Sequence, residues 1–299
     1  MLDLRRLRLL CDLSRLGTIA AVAQAHTYTP SAVSQQLATL EREAGVDLLR
    51  RTGRRVTLTA AGHVLVQHAD AVFAALEHTT AVLAAVGAGV SGPLRIGAFP
   101  TAVRTLLPAT LVALGREHPG LELMVTELDP AEVPGALRDR RLDVGLLHDY
   151  DVVPVKPDPT LDSVPLLTEP VFLAVPATGA AATLAEAADE PWILATPGTL
   201  CHTVTLQVCR SAGYLPRARH HADDFATVLA LVAAGQGVSL VPALAATDPP
   251  AEVRLVRLDT RRRTRVAYRT GAAAHPAVAA FTAAIQAAAY SVTPSSGTS

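Results

Sequence analysis

Apolar residues recur at helical spacing through the first part of the chain. Leucines three to four positions apart predict an amphipathic helix over residues 3–16. A glycine interrupts this pattern, and Thr18 then suits the N-cap of a second helix of small residues at 19–25. A Thr-Pro pair predicts the start of a third helix, which covers 30–44 and ends at a glycine. Residues 47–59 are typical of a turn and a short hairpin.

A longer pattern occupies residues 60–86, where apolar positions alternate steps of four and three. The seam consists of Leu65, Ala69, Val72, Leu76, Thr79, Leu83 and Val86. A seven-residue period sustained over this length favours a partner helix and therefore a dimer, although an amphipathic helix packed on its own chain would show the same spacing. The glycine-rich segment 87–93 predicts a linker.

From residue 94 onward, short apolar runs alternate with amphipathic segments. The first set comprises strands at 94–99, 121–128 and 142–148 with helices at 102–118 and 131–140 between them. The second set comprises strands at 170–176, 191–196, 217–221 and 237–242 with helices near 183–188, at 200–212 and at 224–234. A Pro- and Asp-rich stretch at 149–165 separates the sets, and a late strand at 265–270 and a helix at 276–290 close the chain. The alternation predicts parallel strands with right-handed crossovers, arranged as a two-lobed clamp.

Charge and composition narrow the classes of protein. Residues 1–60 hold nine arginines and five acidic side chains, a formal charge of +4, whereas the rest of the chain holds 17 basic and 22 acidic residues. A basic head on an acidic body suits a module that meets phosphate. The chain has three cysteines, no secretory signal and no uninterrupted run of about 20 apolar residues. These features predict a cytoplasmic protein that does not enter a membrane.

The third helix carries the side chains that a reader of the DNA major groove needs near its N-terminus. Gln pairs with adenine through two hydrogen bonds, and Ser contacts several bases. The predicted DNA-binding residues are Thr18, Thr29, Pro30, Ser31, Ser34, Gln35 and Gln36, with Arg51 and Arg54 in the hairpin for phosphate or the minor groove. Because any polar helix face holds Ser and Gln, these residue types alone are equally compatible with an ordinary solvated face.

The order of motifs in this head resembles the N-terminal domain of LysR-type transcriptional regulators. The matching positions are Ala32, Val33, Ser34, Leu37, Leu40, Glu41, Gly45, Val46, Leu48, Arg51, Arg54, Leu58, Thr59, Ala61 and Gly62. Leu49 stands where the family usually has Phe, and His26 where it usually has an apolar residue, so both departures concern packing. The resemblance continues through LRIGAF, RLDVGL and AAGQGVSLVP and covers most of the chain.

The resemblance implies an α/β protein with an α-rich winged helix-turn-helix head, a long linker helix and a two-lobed, periplasmic-binding-protein-like effector domain. The expected domains are the head at 1–60, the linker and dimerisation helix with its hinge at 61–90, and the effector domain at 91–292, followed by a flexible tail at 293–299. Lobe I would comprise 91–166 and 264–292, and lobe II 167–263. Such regulators are usually dimers of dimers that bind double-stranded promoter DNA with dyad symmetry. We therefore expect a homodimer through the linker helix, a homotetramer and a small-molecule effector, with no cofactor and no metal.

Ligands of two-lobed α/β clamps sit beyond the carboxyl ends of the strands, between the lobes. By resemblance, the predicted effector-binding residues are Thr101, Ala102, Leu128, Asp129 and His148 in lobe I and Thr196, Thr199, His202 and Phe225 in lobe II. A capping or packing role is the alternative for each of them.

Two cysteines in lobe II suggest redox sensing as an alternative to the binding of a small-molecule effector. Peroxide-sensing members of the family carry two cysteines in this region, and Cys201 and Cys209 resemble them with a spacing one residue shorter. On one helix they lie about 12 Å apart, beyond the ~7 Å between Cα atoms that a disulfide tolerates. Cys201 near a helix N-terminus could instead hold a lowered pKa. We favour two buried structural thiols, with redox sensing as the alternative.

Two further classes of function are weighed against the regulator. A cytosolic solute-binding protein needs no DNA-reading head, and an enzyme needs a catalytic triad, metal-ligand spacing or a cofactor motif. Residues 87–92 match G-x-G-x-x-G literally, but they follow a helix instead of a strand, so we interpret them as a hinge and find no other such motif in the sequence. His220 and His221 are adjacent on a predicted strand, so their side chains point to opposite faces and do not converge on one metal ion. We therefore favour a strand end followed by a helix that Asp223 caps over a metal site.

Overall fold

The structure, a computed structural model, describes residues 1–52, 55–87 and 89–292. Arg54 of the predicted wing and the tail expected at 293–299 lie outside these residues. The chain divides between Thr79 and Thr80 into an N-terminal and a C-terminal compact unit.

The N-terminal unit begins with three helices and a hairpin. In chain order its elements are α1 (Leu4–Leu16), α2 (Ile19–Ala25), α3 (Pro30–Ala44), β1 (Leu49–Thr52) and β2 (Arg55–Leu58), followed by α4 (Ala60–Val86). Leu10, Val22, Val33 and Leu40 are fully buried and form the core with Leu48 at the base of the hairpin. The helices that the apolar spacing predicts are confirmed. Helices α1 and α3 both end at glycines in the left-handed conformation.

Hydrogen bonds and close packing join the hairpin to the start of α4. Thr59 donates its hydroxyl to the carbonyl of Asp47 at 2.8 Å and accepts the N–H of Gly62 at 3.1 Å. Gly62 approaches the hairpin so closely that a Cβ atom there would lie 2.3 Å from the carbonyl oxygen of Leu48. The direction of the hairpin therefore depends on the absence of a side chain at this position.

Helix α4 leaves much of its predicted seam exposed in a single chain. Val72, Leu83 and Val86 are 43%, 68% and 80% exposed, whereas Ala69 is buried with Leu7 of α1. By length and composition alone α4 is also a candidate membrane span, a test that helices of other kinds pass as well. Apolar side chains exposed at heptad spacing are what a partner helix covers.

The C-terminal unit alternates strands and helices. Its elements are β3 (Ser91–Ala98), α5 (Pro100–Thr105), α6 (Leu107–Glu117), β4 (Gly120–Glu127), α7 (Val133–Arg138), β5 (Val144–Tyr150), β6 (Leu161–Pro176), β7 (Pro191–Leu194), α8 (Leu200–Ser211), β8 (Arg217–His221), α9 (Phe225–Ala233), β9 (Ser239–Pro242), β10 (Val253–Arg269) and α10 (Pro276–Val292). The helix expected at 102–118 is divided into α5 and α6 at Leu106, and that near 183–188 is a single 3₁₀ turn.

A mixed sheet in the order β4-β3-β5-β10-β6-β9 runs through this unit, and β7 and β8 form a second, two-stranded parallel sheet. The predicted parallel order is confirmed for β4, β3 and β5. β10 pairs antiparallel with both β5 and β6, so the expectation of a parallel sheet is corrected to a mixed one.

Two hydrophobic cores define the two lobes of the C-terminal unit. The core of lobe I surrounds Ile96, Leu146 and Phe281, and that of lobe II surrounds Trp192 and Val208. The lobes confirm the clamp predicted from the alternating strands and helices. Each core takes residues from both β6 and β10, so these two strands belong to both lobes.

Strands β6 and β10 are much longer than the apolar runs predict. β6 begins at Leu161, inside the stretch 149–165 that we expected to be irregular, and β10 begins at Val253 instead of near residue 265. The two strands pair from Val253 opposite Pro176 to Arg269 opposite Leu161, with register shifts between 257 and 261 and between 264 and 265.

Candidate nucleic-acid interface and interlobe cavity

Two threonines that the sequence predicts as DNA contacts cap helices of the head. The hydroxyl of Thr29 accepts the N–H of Ala32 at 3.2 Å, with Pro30 in the first turn of α3. The hydroxyl of Thr18 accepts the N–H of Ala21 at 3.1 Å in the same way. Each side chain satisfies a helix N–H that has no partner within its helix, so both positions have a structural role whatever else they bind.

Helix α3 has a buried side and an open side. Val33 and Leu37 lie in the core, Ser34 is half-buried, and Ser31 and Gln35 are exposed. The open side therefore keeps Ser31 and Gln35 available to a partner, as expected for a helix that reads a groove.

Gln36 turns toward α1 instead of the open side. Its Oε1 accepts the Nε–H of Arg6 at 2.9 Å, and Arg6 also forms an ion pair with Glu43 of α3. The second carboxylate oxygen of Glu43 accepts the N–H of Asp3 at 3.2 Å. This network ties the start of α1 to α3, and it occupies the side-chain oxygen of Gln36, one of the predicted base contacts.

Glu41 joins α3 to the hairpin. Its Oε1 accepts the N–H groups of Leu48 at 3.0 Å and of Leu49 at 2.9 Å, at the point where β1 begins. In the hairpin, the strand register places Arg51 opposite Val56.

We expect Glu41→Ala to lower the free energy of unfolding of the head by about 1–2 kcal/mol, because two amide groups lose a charged acceptor. Glu41→Gln keeps an acceptor oxygen at this position and should lose less than half as much. Urea unfolding of the two variants, followed by circular dichroism, measures the difference. Equal losses in both variants would contradict this role for the carboxylate.

A cavity of about 340 Å³ lies between the two lobes. It opens at the carboxyl ends of β4, β5, β7 and β8, where open α/β sheets bind ligands. Most of its lining is apolar, with Leu147, Val153, Leu200, Phe225 and Leu240 among the contributing side chains. Its size and its predominantly apolar wall match those of sites for small organic molecules.

The structure brings only part of the predicted effector set to this cavity. Asp129, His148, Thr199, Phe225 and the thiol residue Cys201 line it. The other predicted residues, which are not among the lining residues, are Thr101, Ala102, Leu128, Thr196 and His202. Ala102 and Thr101 are buried in lobe I at 0% and 3% exposure, and Leu128 packs beside α7. The backbone N–H and hydroxyl of Thr196 are held by Asp223, and Nδ1 of His202 lies 3.0 Å from the carbonyl oxygen of Ala195.

Sequence reasoning missed the segment 153–158, which follows β5 and forms one wall of the cavity. This segment carries Lys156, the single lysine of the chain. It also missed Arg265 of β10, whose guanidinium lies 3.1 Å from Asp149. A unique lysine between prolines was a signal that could have been noticed, whereas the arginine gave none.

Behind the cavity wall lies a buried ion pair. Arg262, 0% exposed, donates its Nε–H to Glu169 at 2.8 Å, and Glu169 also accepts the N–H of Leu244 at 2.5 Å. Tyr150 stands opposite Arg262 in the strand register, and its hydroxyl lies 3.7 Å from the sulfur of Cys201. Burial raises the pKa of Tyr150 well above 10 and raises the pKa of Cys201 above 9.0, so both groups are neutral near pH 7.

His148 lies at the boundary between the cavity and lobe I. Its ring meets Phe99 edge-on at 4.8 Å between centroids and Tyr150 at 5.6 Å. Its Nδ1 is closed off from solvent and has no hydrogen-bond partner among the described residues. Burial, with a smaller contribution from the positive charge of Arg262, holds the pKa of His148 well below 6.5.

This depressed pKa predicts a loss of stability in acid. As the pH falls below about 6.5, the unfolded chain binds a proton at this position that the folded chain does not. The free energy of unfolding therefore falls as the pH is lowered below that value. From pH 7.5 to pH 5.5 the expected contribution is about 1.4 kcal/mol, which His148→Gln should remove. Urea unfolding at the two pH values tests this, and an unchanged pH dependence in the variant would contradict it.

Strand β8 ends in two adjacent histidines, His220 and His221. Among the residues that the structure describes, no group of three or more His, Cys, Asp or Glu side chains is placed to hold a metal ion. The cap of α9 is Asp224, which accepts the N–H of Thr227 at 3.1 Å, and not Asp223 as the sequence suggested. Asp223 instead holds Thr196 at the end of β7.

Comparison with known families accounts for both units. Residues 4–63 match the bacterial regulatory helix-turn-helix protein, lysR family, and residues 87–289 match the LysR substrate binding domain. These matches cover most of the chain. The chain therefore belongs to the LysR family of DNA-binding transcriptional regulators, with a winged helix-turn-helix head and a two-lobed effector-binding domain.

The chain aligns with named transcriptional regulators over most of its length. The chain is 31% identical over 263 residues to the DNA-binding transcriptional dual regulator OxyR of Escherichia coli K12, covering 84% of each chain. It is 33% identical over 229 residues to the probable hydrogen peroxide-inducible genes activator of Mycobacterium avium, covering 75% of this chain and 72% of that one. It is 27% identical over 262 residues to the transcriptional dual regulator GltC of Bacillus subtilis, covering 85% and 86%.

Solved structures of regulators share the fold. A Corynebacterium glutamicum OxyR C206 mutant is similar with a TM-score of 0.60 and 25% identity, covering 98% of this chain and 93% of that one. Full-length CbnR in complex with its target DNA is similar with a TM-score of 0.54 and 23% identity, covering 96% and 100%. The second likeness supports the fold alone.

Proposed function

We propose that this regulator binds a promoter site of dyad symmetry through its head and changes its binding when a small organic effector occupies the interlobe cavity. The observation that carries the proposal is the cavity of about 340 Å³ with a mostly apolar wall. It lies within the residues that match the LysR substrate binding domain. Such a cavity suits an organic metabolite much better than an ion or a very small oxidant.

The assembly that we propose is a homodimer through α4, extended to a homotetramer in the cytoplasm. The exposed seam side chains of α4, Val72, Leu83 and Val86, support the dimer because a second copy of the helix would cover them. A dimer also provides two heads for a dyad site, since the symmetry of the protein matches that of the DNA.

The proposed response rests on a contact that joins the lobes. Arg104 of lobe I forms an ion pair with Asp224 of lobe II at 2.7 Å. An effector shifts the regulator between states only if it binds one arrangement of the lobes more tightly than the other. A molecule in contact with both walls of the cavity has that property.

A gel-shift assay of the full chain with DNA from upstream of its own coding sequence tests DNA binding. We expect binding at low salt that weakens steeply as salt is added, because arginines displace counterions from phosphate. No binding at low salt to this DNA or to sites selected from random sequence would overturn the proposal.

A thermal-shift screen of metabolites tests the effector. A ligand that binds only the folded chain raises the melting temperature. The shift should disappear in Leu200→Trp, which fills the cavity, and persist in the control Val112→Trp on the exposed surface of α6. A ligand that stabilises both variants equally would place its site elsewhere.

Redox sensing is the second candidate function, because several relatives are named as hydrogen peroxide-inducible genes activators. Cys201 and Cys209 both lie on α8, about 12 Å apart along its axis. Burial raises the pKa of Cys209 to about 11 and also raises the pKa of Cys201, so neither holds the reactive thiolate. These observations favour the organic effector.

Mass spectrometry after mild peroxide treatment separates the two candidates. In the redox reaction the two thiols would lose two electrons and two protons to form one S–S bond, and one H₂O₂ would become two waters. We expect no bond between Cys201 and Cys209 in the native chain. Formation of that bond together with a change in DNA binding would establish the redox function instead.

A further inference from the structure

The open side of α3 forms a narrow stripe that extends beyond the residues predicted for base contact. Its exposed members are Ser31, Gln35, Ala38 and Arg42. At about 100° per residue these four positions fall within roughly 60° of arc. The neighbouring Gln36 lies about 100° away from Gln35, on the side that Arg6 occupies.

Arg42 is held along this stripe by its own helix. Its Nη2 donates to the hydroxyl of Thr39 at 2.7 Å, and that hydroxyl donates to the carbonyl oxygen of Gln35 at 3.0 Å. Thr39 therefore fixes the guanidinium against the helix at the height of the third turn. The head is also the basic part of the chain, with nine arginines and five acidic residues in the first 60 positions.

The stripe is long enough for its members to make two kinds of contact, with bases and with phosphates. Gln35 lies about 6 Å along the helix axis from Ser31, and Arg42 lies about 16 Å from it. The major groove of B-DNA is about 12 Å wide, so a helix whose N-terminal turns reach the bases brings Arg42 to the flanking phosphates. Between them, the methyl group of Ala38 suits the methyl group of thymine.

We propose that the DNA-reading surface of α3 is the stripe Ser31, Gln35, Ala38 and Arg42, in which Gln35 and Ala38 specify bases and Arg42 anchors a phosphate. Thr39 positions Arg42, and Gln36 positions α3 against α1. This assignment rests on the proposed DNA-binding function, and it replaces Gln36 as a base contact.

Binding of the full chain to sites selected from random double-stranded DNA tests the base contacts. Gln35→Ala should weaken binding to the preferred site by roughly 5- to 150-fold while leaving non-specific DNA unaffected, and should relax the preference at one base pair of each half-site. Gln36→Ala is the matched control and should keep the selected sequence unchanged. An altered sequence preference in Gln36→Ala, with none in Gln35→Ala, would overturn the assignment.

The salt dependence of binding tests the phosphate contact. Arg42→Ala should weaken binding to all sequences alike and reduce the slope of log K against log salt by about 0.9 for each copy of the chain bound. Thr39→Val should produce a smaller change of the same kind, while Arg116→Ala on the exposed surface of α6 should produce none. An unchanged slope in Arg42→Ala, or a loss confined to one sequence, would overturn the anchor.

The result for the wild-type chain separates two kinds of failure. If wild-type protein selects no sequence and shows no salt-dependent binding, the proposed function itself fails. If the wild type binds and the variants depart from the expected pattern, only the assignment of the stripe is wrong. Circular dichroism of each variant confirms that the head remains folded.

Discussion

Replacing Glu169 with glutamine is expected to lower the free energy of unfolding of the C-terminal unit by about 3–5 kcal/mol. The variant leaves the guanidinium of Arg262 charged and without its partner, at a position that is 0% exposed. Glutamine still offers an oxygen to the N–H of Leu244, so the loss reports mainly on the charge. Urea unfolding followed through the fluorescence of Trp192, the single and fully buried tryptophan, measures it.

A double variant distinguishes a broken ion pair from general damage. Arg262→Met combined with Glu169→Gln removes both charges, so it should be more stable than either single variant. As a control, Asp139→Asn disrupts an exposed ion pair with Arg141, whose side chain is 64% exposed, and should change stability by less than about 0.5 kcal/mol. If the losses of the two single variants simply add in the double variant, the pair is not coupled and this explanation is wrong.

Gly62→Val is expected to destabilise the N-terminal unit by about 3 kcal/mol and to reduce DNA binding with it. A Cβ atom at this position would lie 2.3 Å from the carbonyl oxygen of Leu48 and 3.1 Å from the Cβ of Leu58, and neither group can rotate away. The hairpin must move away from α4, which also displaces the hydrogen bonds made by Thr59.

The same substitution at Gly115 is the matched control. Gly115 lies inside α6, and a Cβ atom there would meet no atom within 4 Å. Valine has a slightly higher helix propensity than glycine, so Gly115→Val should leave stability within about 0.5 kcal/mol or raise it. Thermal unfolding and gel shifts of both variants test the pair, and equal behaviour would show that close packing at Gly62 does not matter.

The head was predictable because its signals are local. Thr29 and Pro30 start α3, a glycine ends it, and apolar residues at helical spacing form its buried side. Which polar residue faces outward was not predictable at the same level. Gln36 is removed from the open side by Arg6, thirty positions away in sequence, and no spacing rule records that contact.

The longest strand of the C-terminal unit was predictable only in part. β10 reads VRLVRLDTRRRTRVAYR, and such a density of arginine argues against a buried strand. The strand forms because its arginines find distant carboxylates, Arg262 at Glu169 and Arg263 at Asp149. The sequence shows the charges but not the pairing, so the first part of the strand was missed.

The residues that line the cavity also divide into those that local sequence signals predict and those that only the fold brings together. Asp129, His148, Thr199 and Phe225 follow directly from the rule that ligands meet the carboxyl ends of strands. The same rule fails for Ala102, because α5 turns it into the core of lobe I. The wall at 153–158 depends on the path between two long strands, which only the fold defines.

The continuous pairing of β6 with β10 has a mechanical consequence for how a signal can be transmitted. A clamp joined by single flexible strands can swing freely, but here two paired strands pass through both lobes, with register shifts between Arg257 and Arg261 and between Thr264 and Arg265. Relative motion of the lobes must therefore bend or twist this pair of strands, and the register shift between Arg257 and Arg261 is its most compliant point. An effector that changes the angle between the lobes would therefore also have to deform this pair of strands.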